Sequence, residues 1–225
     1  FLIGSPLNPI IEAAARADVR TIIPRQERTG LHMADGFSRL NPGRRLGVFV
    51  MQQGPGAENS FGGVAQAYGD SVPMVVLPAG YPRRLVRVPP HFDASINYHH
   101  ITKWAEQVLC ADVVPAALRR AFTQARNGRP RPVLVEIPVD LMDEEVPEPL
   151  DYTPTSSRRS APDPEDVEEA ARLLVEARSP VIYAGQGVHY ARAWPQLRRL
   201  AELLAAPVTT SLQGKSAFPE NHPLS

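Results

Sequence analysis

The sequence predicts an α/β fold: a parallel-sheet domain with helices on both faces, followed by part of a second α/β unit. Three observations predict it. Short apolar runs rich in β-branched residues alternate with longer stretches at helical spacing, which is the pattern of βα units. The strand-like runs are nearly all apolar, as strands covered on both faces must be. A Pro-, Ser- and acid-rich stretch, "DEEVPEPLDYTPTSSRRSAPDPED", then separates this pattern from a second, shorter copy of it.

Taken in order, a helix is expected over Pro9–Ala17 and a strand over Thr21–Ile23, followed by an amphipathic helix over Glu27–Leu40. Leu46–Met51, Met74–Leu77 and Pro132–Ile137 read as further buried strands, with helices over Ala57–Tyr68 and Pro115–Asn127. Gly128 supplies the C-terminal stop of the last helix, because glycine enters the left-handed conformation without cost. These elements make a first domain of residues 1–150, joined by a linker, 151–162, to a second unit, 163–225. There Asp163 is placed to cap a helix with Pro164 in its first turn and Val167, Ala170, Ala171 and Leu174 on one face. "PVIYAGQG" reads as a strand ending in glycines, "WPQLRRLAELLAA" as a helix and "PVTTSL" as another strand. Two strands are a poor stopping place for a domain, so the chain is expected to be part of a longer protein.

Composition narrows the function. Twenty-four basic residues balance twenty-four acidic ones, which gives no electrostatic grip on nucleic acid or an anionic membrane. Cys110 is the single cysteine, which rules out an internal disulfide and a multi-cysteine zinc site and fits a reducing compartment. No apolar run approaches a membrane span and the N-terminus lacks the pattern of a signal peptide, so a cytoplasmic location is expected. His99 and His100 are adjacent and ill-spaced for one metal, and read as a surface or interface pair; His32 reads as a polar edge on a helix.

Chemistry concentrates in few places. "QQGPGAEN", Gln52 to Asn59, lies between a strand and a helix, where open α/β sheets bind ligands and where glycine lets a ligand approach the backbone. A tight strand-to-helix turn would need Gly54 and Gly56 as well. "YAGQGVHYA" imitates a dinucleotide fingerprint, but Tyr190 occupies its third glycine position. "QGKS" imitates a phosphate loop, but Thr209 stands where the first glycine is required. "IIPRQERTGLHMADGFSRL" places one carboxylate, Glu27, where an apolar run gives way to a helix. A helix-capping acid facing the positive end of the helix dipole fits that address; so does a buried functional carboxyl.

Together, "IIPRQERTGLHMADGFSRLNPG", "GVFVMQQGPGAENSFGGVAQAYGDSVPMVVLPAG", "ITKWAEQV" and "GRPRPVLVEIPVDL" resemble the pyrimidine-binding domain of thiamine diphosphate-dependent enzymes, in the acetolactate synthase-like group. "SPVIYAGQGV" and "APVTTSLQGKSAFPENHPLS" resemble the start of that family's Rossmann-like central domain. The resemblance implies that Glu27 is the glutamate that hydrogen-bonds N1′ of the cofactor's aminopyrimidine and so promotes formation of the C2 ylide, work for which burial tunes a carboxyl in the required direction. It implies that Gly54, Pro55 and Gly56 lie close to the pyrimidine and that Asn59 is the polar residue opening the next helix. It further implies a carboligase, decarboxylase or acyl transferase acting on small-molecule substrates, 2-oxo acids or related acyl donors. The smallest active unit is then a homodimer, with Mg²⁺ and diphosphate held by a further domain and FAD possible in the central one.

The resemblance has gaps. Glu58 stands where relatives often have Thr, Gln26 where they often have His, and "HFDASINYHH" replaces the Phe-Gln-Glu run usual in acetolactate synthases themselves. The expectation is therefore the superfamily, with the substrate left open. A non-catalytic nucleotide- or FAD-binding module, or an assembly module, is the alternative.

Overall fold

The computed structural model describes residues 6–146, 148–154, 156 and 160–225. It divides into two compact units, Phe1–Arg158 and Arg159–Ser225.

The first unit is built on four parallel strands, β1 (Gly47–Met51), β2 (Met74–Gly80), β3 (Trp104–Gln107) and β4 (Val133–Pro138), in the order β1-β2-β4-β3. Residues alternate between faces, so each strand feeds two cores. Phe49, Met51, Met74, Val76 and Leu134 pack with Leu31 of α2 (Glu27–Leu40) and with Ala57, Val64 and Ala67 of α3 (Pro55–Gly69). On the opposite face, Val75, Val133 and Val135 meet Ala117, Ala121 and Ala125 of α5 (Val114–Arg126). Val50 and Ala79 meet Leu7, which leads into α1 (Asn8–Arg16). Helices thus cover both faces, as the apolar strands require. Gly128, at φ +64, follows the Asn127 C-cap of α5 and ends that helix.

Side chains pin α2 to the sheet. Ser38 Oγ donates to the Pro73 carbonyl at 2.7 Å and accepts from the Gly47 amide at 2.8 Å, joining the helix to the starts of two strands. Arg39 bridges Asp35, at 2.6 Å, and Asp70, at 2.8 Å, which ties α2 to the end of α3.

Two readings of the first unit need correction. Thr21–Ile23 is not a strand: residues 19–24 carry no regular element, and Ile22 and Ile23 stand about half exposed. Ile22 and Pro24 instead line an apolar surface recess with Met33, Phe37 and Val48. Conversely β3, in "ITKWAEQV", escaped detection. It is an edge strand, only partly buried along its length, so it carries polar residues. Glu106 there pairs with Arg120 of α5 at 2.5 Å.

In the second unit Asp163 caps α6 (Pro164–Glu176) by accepting from the Glu165 amide at 2.9 Å. None of α6 is buried, the expected apolar face included. β5 (Ile182–Ala184) and β6 (Val208–Thr210) pair in parallel, with α7 (Gly187–Ala191) and α8 (Trp194–Leu204) between them. The strand expected to run on through "AGQG" stops at Ala184. Ala184, Leu197, Ala201, Val208, Ala217 and Phe218 form the local core. Trp194 donates its indole N–H to His189 Nδ1 at 3.0 Å, and the sequence's second tryptophan, Trp104, lies on β3 of the other unit.

Candidate active site

The parallel sheet directs the carboxyl ends of β1 and β2 toward one rim, and α2 and α3 begin there. Glu27 is the first residue of α2, with Gln26 as its extended N-cap. Although it starts a helix, Glu27 is only 5% exposed, which a solvated capping acid would not be. It is covered because the first turn of α3 lies on it. A Cβ on Gly56 would stand 3.4 Å from Glu27 Oε1 and 3.0 Å from Gln52 Cβ, so a side chain there would crowd the carboxyl. Asn59, one turn into α3, donates from Nδ2 to Glu27 Oε2 at 3.3 Å.

Gly54 is the N-cap of α3, at φ +58 and ψ −114, a backbone region that side chains disfavour. Pro55 follows in the first turn, where its missing N–H costs nothing. Glu27, Gly54, Pro55, Gly56 and Asn59 are therefore brought together by the meeting of two helix N-termini at one sheet rim. The neighbouring Gln53 Oε1 is buried and has no hydrogen-bond partner among the described residues, a polar atom turned inward beside the same turn. Such a constellation suits a planar heterocycle with N–H groups: a carboxyl acceptor, an amide that orients it, and side-chain-free backbone alongside.

Three residues near the site went unread in the sequence. Tyr81 follows β2, and its Oη would lie 2.6 Å from a Cβ on Gly54. Tyr98, fully buried, donates its hydroxyl to the carbonyl of Ala57 in the first turn of α3, and burial pushes its phenol above the ordinary range. Glu136, on β4, is 2% exposed. Its signal was available: one acid inside the otherwise apolar "VLVEIP". His99 and His100 are exposed, and among the described residues no group of three or more His, Cys, Asp or Glu is placed to hold a metal. Nor does any described helix have the length and apolarity to cross a membrane.

Fold and site together define an α/β domain with a buried carboxyl at a glycine turn, and comparison with known proteins names the class. Residues 1–108 match the thiamine pyrophosphate enzyme N-terminal TPP binding domain, and residues 167–225 match the central domain of the same enzymes. The chain belongs to the thiamine diphosphate-dependent enzyme family, in its acetolactate synthase-like group. It is 36% identical over 230 residues to the "probable acetolactate synthase large subunit" of Methanocaldococcus jannaschii, covering 98% of this chain and 38% of that protein. It is 34% identical over 230 residues to acetolactate synthase 2, chloroplastic, of Nicotiana tabacum, covering 99% of this chain and 34% of that one. An X-ray structure of a Mycobacterium smegmatis protein assigned as a thiamin diphosphate-dependent enzyme superposes with a TM-score of 0.85 at 28% identity, over 99% of this chain and 43% of the other. The chain thus spans under half the length of these relatives.

Proposed function

We propose that the protein containing this chain is a thiamine diphosphate-dependent carboligase, decarboxylase or acyl transferase acting on small 2-oxo acids or related acyl donors. The observation that carries this reading is the buried Glu27 carboxyl held between Asn59 and Gly56. When bound, thiamine diphosphate supplies the carbanion chemistry that breaks or makes the bond beside a carbonyl. The chain's own residues do the rest. Glu27 holds or accepts a proton at Oε1, and its burial keeps water from competing for that oxygen. Asn59 fixes the plane of the carboxyl by donating to Oε2. Gly54 leaves room for the Tyr81 hydroxyl, and Gly56 for Gln52 and the Glu27 carboxyl.

Diphosphate and its Mg²⁺ are assigned to residues outside these 225. Calorimetric titration tests this: the isolated chain is expected to bind thiamine diphosphate weakly, and the full-length protein to bind it tightly only with Mg²⁺ present. Tight, metal-independent binding by the isolated chain would place the diphosphate site here instead. Absence of binding by the full-length protein would overturn the cofactor reading itself.

We further propose that this chain supplies one wall of the cofactor's site and that a second is required. We assign that second wall to another copy of the protein, so that the active species is a dimer or a dimer of dimers. Sedimentation velocity on the active fraction is expected to show no monomer; an active monomer contradicts the assignment.

A further inference from the structure

A second buried carboxyl lies beneath the site, unused by the chemistry above. Glu136, on β4, faces Gly80 of β2, where a Cβ would stand 3.2 Å from its Oε1, and is in register with Gln107 of β3. Its Oε2 accepts from the Ser95 amide at 2.8 Å, in α4 (Ala94–Asn97). Asp93 caps that helix: Oδ1 accepts from the Ile96 amide at 3.0 Å and from Ser95 Oγ at 2.8 Å. Asp93 Oδ2 is buried and has no hydrogen-bond partner among the described residues. Asp93 and Glu136 both line a cavity of about 10 Å³, at the lower limit of what one water needs.

The far end of this segment reaches the site. One residue past α4, Tyr98 donates to the Ala57 carbonyl, and its ring packs edge-on to Phe61, at 5.2 Å between centroids, and Phe92, at 6.4 Å. Ala57 follows Gly56 in the turn that covers Glu27. The segment is therefore a strut with one foot on Glu136 and the other on the first turn of α3.

Two carboxyls facing one small cavity do not both ionise readily. Asp93 already accepts from two donors at its cap through Oδ1. Glu136 is then the member that keeps a proton, and Asp93 Oδ2 is the acceptor waiting for it. We propose that Glu136 is a positioning residue of the candidate site: it shares one proton with Asp93, directly or through a single water, and that proton locks the strut that fixes the first turn of α3. The inference rests on the reading of Glu27 as the cofactor's partner.

Burial pushes the Glu136 carboxyl up to about 7; the Ser95 amide opposes this and the Asp93 charge reinforces it. The other groups facing the cavity are Tyr81, Arg87 and His91, with neutral Gln107. Because the folded-state value is raised, the lock is complete at pH values below the ordinary carboxyl range and is lost as pH rises through about 7.

The test compares full-length parent and Glu136→Gln, measuring thiamine diphosphate affinity with Mg²⁺ across that range. The parent's affinity is expected to fall by about tenfold between about pH 6 and pH 8. The substituted side chain cannot ionise, and its amide can still donate to Asp93 Oδ2, so the ratio of the two proteins' affinities follows the ionisation of Glu136 while the cofactor's own titration cancels. Superimposable profiles overturn the proposal. A carboxylic-acid C=O infrared band is expected in the parent at about pH 6 and should vanish in Glu136→Gln; a parent without it equally overturns the proposal. If Glu136→Gln does not fold, Asp93→Asn serves instead. Removing that negative neighbour is expected to move the parent's affinity loss to lower pH, and an unmoved midpoint refutes the pairing. Glu27→Gln run in parallel separates the two claims, since normal turnover there removes the reading of the site but leaves the infrared result to decide the shared proton.

Discussion

Glu27→Gln is expected to leave the fold intact and to lower turnover by about a hundredfold or more, the usual scale for losing a group that manages a proton in the transition state. The substitution keeps the volume that α3 packs upon and an oxygen that can still accept from Asn59 Nδ2, so the packing around Gly56 has no reason to change. What it removes is the carboxyl's capacity to hold a proton. Steady-state kinetics of the full-length protein, beside far-UV circular dichroism and thermal melting, check both halves. Near-normal turnover in a folded variant would sink the catalytic assignment of Glu27.

Gly47→Ala is expected to do the reverse, damaging the fold before the chemistry. A Cβ at Gly47 would lie 2.2 Å from the Ala34 carbonyl oxygen, 2.7 Å from its carbon and 2.8 Å from its Cα. All three are backbone atoms of a helix already pinned by Ser38 to Gly47 itself and to Pro73, so no side-chain rotation relieves the overlap. Overpacking against rigid neighbours costs about 1–3 kcal/mol or more. For a chain of this length that lowers the melting midpoint by roughly 6–12 °C at the upper end. A midpoint within about a degree of the parent's would show that α2 can move away from β1.

The sheet and the site were legible in the sequence to different depths, for physical reasons. β1, β2 and β4 declared themselves because their runs are apolar, Glu136 of β4 excepted, and α5 declared its end through Gly128. β3 did not, because an edge strand with one exposed side tolerates Glu106 and Gln107 and loses the pattern. Thr21–Ile23 misled because β-branched composition is a context-dependent preference, and Ile22 and Ile23 lie about half exposed with no ladder. Glu27, Gly54, Pro55, Gly56 and Asn59 were found through the order of motifs along the chain. Their mutual contact, and the depth at which Glu27 lies, depend on α3 crossing the start of α2, a tertiary fact that spacing does not encode. Tyr81, Tyr98 and Glu136 act across 27 to 41 residues of sequence, so no local pattern links them to the turn they support.

The distribution of the two tryptophans has a practical consequence. Trp104 sits on the edge strand of the first unit and Trp194 at the start of α8 in the second. Each unit therefore carries its own intrinsic fluorophore, and the two differ in surroundings: Trp104 is packed against the α5 face of the sheet, and Trp194 is hydrogen-bonded to an imidazole. Replacing one indole by phenylalanine leaves emission from the other unit alone. Denaturant titrations of the two single-tryptophan proteins then report whether the halves of this chain melt as one cooperative body or as two, a question that a two-state treatment has to answer first.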